Sequence, residues 1–332
     1  MIEVIHPGPY ASVQDLGRPG YAHLGVGHSG AADAAALRLA NRLVGNPEGH
    51  AGIELTFGGA RLTFPTGAWV AITGASCPLT TTNTPSPPAP PPLATPEDPT
   101  AAAEGPRPVV GGARPLAAGG TRRPVAGGAG MAAPFWVPPG SELRFGTPAR
   151  GLRTYLAVRG GIAVEPVLGS RSTDSLSGLG PPALRSGTVL PTGETTGLTE
   201  ISVDVAPLPE PDAAVLRVLA GPRDDWFVPA ALKELCGNPY EVTQDSNRVG
   251  VRLSGTVLER ARQGELPSEG MVEGAIQVPP SGQPIVFLAD HPPTGGYPVI
   301  AVLAEADLPA AAQLRPGQQI RFTLDRSRPF PG

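Results

Sequence analysis

Residues 284–303 read PIVFLADHPPTGGYPVIAVL. The runs PIVFLA (284–289) and VIAVL (299–303) are short, apolar and rich in β-branched residues, and Pro and Gly bound them, which is the pattern of buried strands rather than of a helix. Between them lies a connection, Asp290 to Tyr297, that holds an acid, a histidine, two prolines, a threonine and two glycines. Closing a hairpin requires far less than this, so the stretch also reads as a binding loop.

The same strand signature recurs outward in both directions. ARLTF (60–64), WVAIT (69–73), RTYLAV (153–158), LRVLA (216–220) and QIRFTL (319–324) are short runs separated by Gly and Pro, so the chain is expected to be mainly β with a few short helices. The outstanding helix is SGAADAAALRLANRLVG, expected to start near Ser29 or Gly30 and to stop at Gly45-Asn46-Pro47, with Ser29 as its N-cap. Shorter helices are expected at 228–237 and 306–314. PPGSELRF (138–145) and LRPGQQIRF (314–322) both set a Pro-Gly turn before a strand ending in Arg-Phe, a faint echo between the two halves.

At 332 residues the chain is long enough for two domains. The best boundary is the proline-rich seam VAPLPEPDAA (205–214), which gives an N-terminal domain over 1–205 and a C-terminal domain over 212–326. Residues 78–130 are Pro, Ala, Gly and Thr with almost no large apolar side chains, and read as a disordered insertion within the first domain. A net charge of -4 without long runs of one sign argues against nucleic acid and against a polybasic membrane patch. No apolar run reaches the roughly 18 residues of a membrane span, the first residues lack the layout of a signal peptide, and Cys77 and Cys236 form no CxxC pair. A cytoplasmic protein with reduced thiols is expected.

Several chemistries are disfavoured by motif. The single lysine, Lys233, stands in AALKEL, so there is no GxxxxGK[ST] phosphate loop. GHSGA (27–31) has Ala31 where a nucleophile elbow requires glycine. His23 and His28 are not spaced as a helical metal pair, and no metal is expected. What remains is a set of polar, glycine-rich loops. The first carries Gln14, Asp15, Arg18 and His23, the second Asp245, Ser246, Asn247 and Arg248, the third Glu269 and Gln277, and the fourth Asp290, Thr294, Gly295, Gly296 and Tyr297. Four such loops in one β-rich chain favour a shared substrate or partner pocket. Gly295 and Gly296 allow positive φ and close backbone approach, and Asp290 is expected to anchor its loop rather than act as a base.

VQDLGRPGYAHLGVGHSGAADAAALRLANRLVGNPE (13–48), DSNRVGVRL (245–253), SEGMVEGAIQVPPSGQPIVFLADHPPTGGYPVIA (268–301) and LRPGQQIRF (314–322) closely resemble the biotin-dependent carboxyltransferase, or allophanate hydrolase subunit 2, family. The resemblance runs through nearly the whole chain except 78–130 and the seam near 205. It implies two cyclophilin-like β-barrel domains. Since the stand-alone bacterial members include a component of 5-oxoprolinase, it also implies a small-molecule substrate and action only in a complex. Partner subunits A and B would join the chain in opening 5-oxo-L-proline to L-glutamate, with ATP spent by the assembly. Arg18, Arg248 and the Gly295 and Gly296 amides would then be donors to the developing charge. Three alternatives stay open: a carboxyltransferase subunit of a biotin-dependent urea or amide carboxylase or allophanate hydrolase, a regulatory protein antagonising a histidine-kinase inhibitor, and prolyl isomerisation by the cyclophilin-like fold, which fold alone does not carry.

Overall fold

Strand Ala60–Phe64 buries Ala60, Leu62 and Phe64 and leaves Arg61 and Thr63 half-exposed, the period-two pattern of a sheet with one face on the core. In the computed structural model, which describes residues 1–83, 130–208, 215–264 and 266–325, this strand is central in an antiparallel five-stranded sheet. The order is Val189–Leu190, Ile2–Pro7, Ala60–Phe64, Ser141–Phe145 and Leu79–Asn83. A second antiparallel sheet runs Tyr10–Gln14, Gly52–Thr56, Arg153–Val158, Ala68–Gly74 and Pro134–Val137. One apolar core, with Val4, Leu62 and Leu143 from the first sheet and Val13, Ile53 and Val70 from the second, fills the space between them.

Strand Arg153–Val158 is buried along its whole length because its other face is covered as well. Helix α1 (Ala34–Leu43) packs there, with Ala40 and Leu43 against Ala71 and Ala157 and Leu37 against Tyr155.

In the C-terminal half the strands close into a barrel ordered Val215–Ala220, Val299–Leu303, Ala275–Gln277, Ile285–Phe287, Gly250–Gly255, Tyr240–Val242 and Gln319–Leu324. Parallel pairing of the first strand with the last completes it and leaves no bare edge. Helix α2 (Ala231–Gly237) adds Ala231 and Leu235 to the barrel core, and α3 (Leu308–Ala312) lies beside the last turn before the closing strand. The two runs of the opening stretch are not a hairpin. Ala275–Gln277 pairs with both of them and lies between them, so the 290–297 connection must pass over a strand.

Two expectations are corrected at element boundaries. The long helix starts at Ala34 and is capped by Asp33, whose side chain accepts from Ala36 N at 2.9 Å. Ser29, with φ 54, and Gly30, with φ 100, are outside the helix because both are left-handed. Residues 79–83 of the expected insertion form a strand paired with Ser141–Phe145, as suits a run of β-branched threonines. The remainder of the insertion, 84–129, and seam residues 209–214 lie outside the described residues. Among the described residues no helix is long and apolar enough to cross a membrane.

Candidate functional site

Arg248 stands just ahead of strand Gly250–Gly255. The Asn247 side-chain oxygen accepts from Val249 N (2.8 Å) and Gly250 N (3.3 Å), a local turn that directs the next residue inward. The Arg248 guanidinium takes Asp290 in a fork, Nε to Oδ2 at 2.9 Å and Nη2 to Oδ1 at 3.0 Å. It also reaches the N-terminal half, where Nη1 donates to Glu54 Oε1 and Nη2 to the Gly30 carbonyl.

Glu54 is fully buried in strand Gly52–Thr56. Its cross-strand partner is Tyr155, so the two side chains share a face, and the Tyr155 hydroxyl donates to Glu54 Oε2 at 2.8 Å. Ala32 N donates to the same oxygen at 3.1 Å, and Arg153 Nε stands 3.5 Å from Oε1. On the other side Asp290 accepts from Ser29 Oγ (2.7 Å), Ser175 N (3.0 Å) and Ser175 Oγ (2.6 Å). Two acids and two guanidiniums therefore form one buried cluster across the two halves. Burial by itself would raise both acids, but it is outweighed at Asp290 by the charge and hydrogen bonds of Arg248 together with those of Ser175 and Ser29, and at Glu54 by Arg248 and Arg153 together with the Tyr155 hydroxyl. Both are held as carboxylates below their ordinary values.

The first polar loop is knitted to residues 170–174. Asp15 accepts from Gly17 N (2.8 Å), Ser170 Oγ (2.6 Å), Ser172 Oγ (2.6 Å) and Arg171 N (2.6 Å). Gln14 donates to Ser12 Oγ and the Thr173 carbonyl. Arg18, 1% exposed, donates to the Ser172 carbonyl and lies 3.7 Å from Asp174. His23 is on an exposed turn and Asp245 is exposed.

A third group forms a small ribbon in which Glu269–Gly270 pairs with Thr294–Gly295. Glu269 is ion-paired to Arg223, Gln277 donates to the Tyr297 carbonyl at 3.1 Å, and Arg260 lies over the Tyr297 ring. Neither Gly295 nor Gly296 uses the positive φ that glycine allows. At 295 the close neighbour is a side chain: a Cβ there would lie 2.8 Å from Gln277 Nε2, the end of a flexible chain that would have to shift.

The predicted residues thus occupy three places, and two cavities lie near the Arg248–Asp290 pair. One, of about 460 Å³, is lined from both halves by Tyr10, Arg153, Ser175, Ser246, Asn247 and Arg248 among others. The second, of about 270 Å³, is lined by Val26, His28, Met271, Glu273, Ala289 and His291 among others. Of the donors proposed from sequence, Arg248 borders the larger cavity but is engaged by two carboxylates, and Arg18 gives Nη2 to the Ser172 carbonyl while its buried Nε and Nη1 have no hydrogen-bond partner among the described residues. Sequence reasoning missed Glu54, Arg153, Ser175 and Glu273. An acid in GIELT and a guanidinium opening RTYLAV, inside runs otherwise fit for a buried strand, were signals for the first two. Ser175 and Glu273 carried none. Among the described residues no group of three or more His, Cys, Asp or Glu is placed to hold a metal.

Comparison with known proteins adds a lineage to this geometry. The family model "Carboxyltransferase domain, subdomain A and B" matches residues 24–107 and 109–324. The chain is 36% identical over 325 residues to the C subunit of 5-oxoprolinase from Escherichia coli (strain K12), covering 97% of this chain and 90% of that protein. The crystal structure of TTHA0988 superposes with a TM-score of 0.75 at 34% identity, covering 97% of this chain and 55% of that one. The K. lactis urea amidolyase structure gives 0.73 at 30% identity, and there the chain spans 18% of the longer protein.

Proposed function

The chain belongs to the carboxyltransferase domain family of subdomains A and B, and from that premise we propose that it is the C subunit of an ATP-dependent 5-oxoprolinase. The observation that carries this is the correspondence with a subunit named for that activity, over 97% of one chain and 90% of the other. The urea amidolyase match uses only 18% of its partner. With subunits A and B the chain would open the lactam of 5-oxo-L-proline to L-glutamate.

The amide of an unstrained lactam is resonance-stabilised, so water attacks its carbon slowly. Phosphorylation of the amide oxygen at the expense of ATP makes that carbon a better electrophile. Water then adds, the C–N bond breaks and the nitrogen takes a proton, which leaves an acyl phosphate; a second water hydrolyses it to the free carboxylate and inorganic phosphate. In this scheme the chain supplies a shaped, partly apolar environment, with hydrogen-bonding and titratable groups near the reacting amide. The buried cluster of Glu54, Arg153, Arg248 and Asp290 holds the two halves in register around it.

The test is reconstitution. The purified chain alone is expected to release no glutamate from 5-oxo-L-proline and ATP, because the sequence has no phosphate loop and its single lysine stands in AALKEL. With subunits A and B, glutamate release should follow ATP. Glutamate release by the single chain, or an assembled complex that instead carboxylates urea with a biotin carrier, would overturn the reading.

A further inference from the structure

The groups around the larger cavity are largely engaged within the protein. Arg248 is held by Asp290 and Glu54, the Ser175 hydroxyl donates to Asp290, the Asn247 side-chain oxygen accepts from Val249 and Gly250, and the Ser246 hydroxyl accepts from Arg252 N at 3.0 Å. The smaller cleft differs. Ala22, Val26, Met271, Val272, Ala289 and Pro293 give it an apolar wall, and His28, Glu273 and His291 are its titratable side chains. Among the described residues the Glu273 carboxyl has no hydrogen bond or ion pair. His291 Nδ1 lies 2.8 Å from the Pro292 carbonyl, which fixes the Nδ1–H tautomer and leaves Nε2 as an acceptor. At about 270 Å³ the cleft is just under the ~300–1,000 Å³ range of sites for drug-sized molecules, so its ligand is small.

We propose that this cleft binds a small cyclic amide, with the Glu273 carboxyl pairing in its acid form to the ring's N–H and C=O together and the apolar wall covering the ring. A lactam presents N–H and C=O side by side in the cis arrangement. A carboxylic acid matches this with one acceptor and one donor, whereas a carboxylate has only acceptors. The acid form is available near neutrality, since burial pushes Glu273 up to about 7; Arg248 pulls it back and Asp290 raises it further. His28 from the 22–28 loop and His291 line the same cleft, and burial lowers His291 from its ordinary value, so it is neutral at pH 7. The assignment rests on the 5-oxoprolinase reading for the identity of the natural lactam, and on this cleft's own chemistry for the class.

The experiment uses the full chain labelled with 13C-methyl methionine and titrated with 2-pyrrolidinone and with 5-oxo-L-proline. The chain has three methionines, and only Met271 lines the cleft. The Met271 methyl should shift while Met1 and Met131 stay still. Above pH 7 the affinity should fall about tenfold per pH unit as the acid form is lost. Glu273→Gln, whose amide keeps a donor and an acceptor, should bind with that pH dependence gone. Glu273→Ala should bind about tenfold more weakly, the size of one or two net hydrogen bonds. A silent Met271, or equal affinity in Glu273→Ala, overturns the proposal. If Met271 is silent while the assembled complex hydrolyses 5-oxo-L-proline, the cleft assignment fails and the function stands. Lactam binding at Met271 with an inactive complex supports the cleft and sinks the function.

Discussion

At the scale of the residue, Arg248 has the largest consequences. It faces Glu54 and Asp290, both essentially without solvent, and its removal leaves two buried acids with Arg153 as the remaining guanidinium of the cluster. Arg248→Met should therefore cost about 3 to 5 kcal/mol in urea unfolding at pH 7, and a loss below about 1 kcal/mol would show that the acids simply take up protons. Because the folded-state values of Glu54 and Asp290 lie below their ordinary 4.5 and 3.8, their contribution to stability is present above that range. It is lost as pH falls through the depressed values. Glu273 has the opposite sign. Raised from 4.5 to about 7, it contributes stability that is fully present below 4.5 and lost as pH rises through 7. Glu273→Gln should thus raise the melting temperature relative to the parent more at pH 8 than at pH 5. An equal difference at both pH values would show that Glu273 titrates as an exposed acid.

At the scale of the element, helix α1 shows why an expected start was displaced. The sequence offers Ser29 and Asp33 as capping residues, and propensity alone does not choose between them. Asp33 is chosen because its carboxylate accepts from Ala36 N and its other oxygen accepts from Gln313 Nε2 at 2.8 Å. Ser29 is drawn off to Asp290 in the other half. Burial raises the Asp33 carboxyl above its ordinary value, so a neutral capping side chain is tolerated there. Asp33→Ala should lower stability by about 1 to 2 kcal/mol, and Asp33→Asn should retain most of it, read by urea denaturation. Loss of the same size in both variants would mean that the charge, rather than the cap, matters. The strand runs were easier to read. Arg153–Val158 and Gln319–Leu324 coincide with the runs RTYLAV and QIRFTL, since β-branched and aromatic side chains between Gly and Pro leave few other local choices.

At the scale of the whole molecule, the two halves meet through charged and hydrogen-bonded side chains. Arg248 and Asp290 from the barrel bind Glu54, Ser29 and Ser175, and Gln313 accepts from Leu152 N and Arg153 N. A polar seam of this kind couples halves that have separate apolar cores. Calorimetry of the parent at pH 7 should show one unfolding transition, and the Arg248→Met variant should show two. A single transition in both would place the coupling elsewhere, and two in the parent would mean that the seam contributes little.

The sequence by itself determined the β class, the places of most strands and the family resemblance, because these depend on local periodicity, on turn residues and on motif identity. It also singled out Asp290 and Arg248, which the structure pairs in the buried cluster. It did not show that Glu269, Gln277 and Thr294 to Tyr297 form a ribbon of their own, or that Gln14, Asp15 and Arg18 serve to tie down residues 170–174. Nor did it bring Glu54 to Arg248, which stand 194 positions apart. Those partnerships are decided only by the tertiary structure. A buried charge must find its counter-charge wherever the packing of two cores places one, and no local pattern encodes that distance.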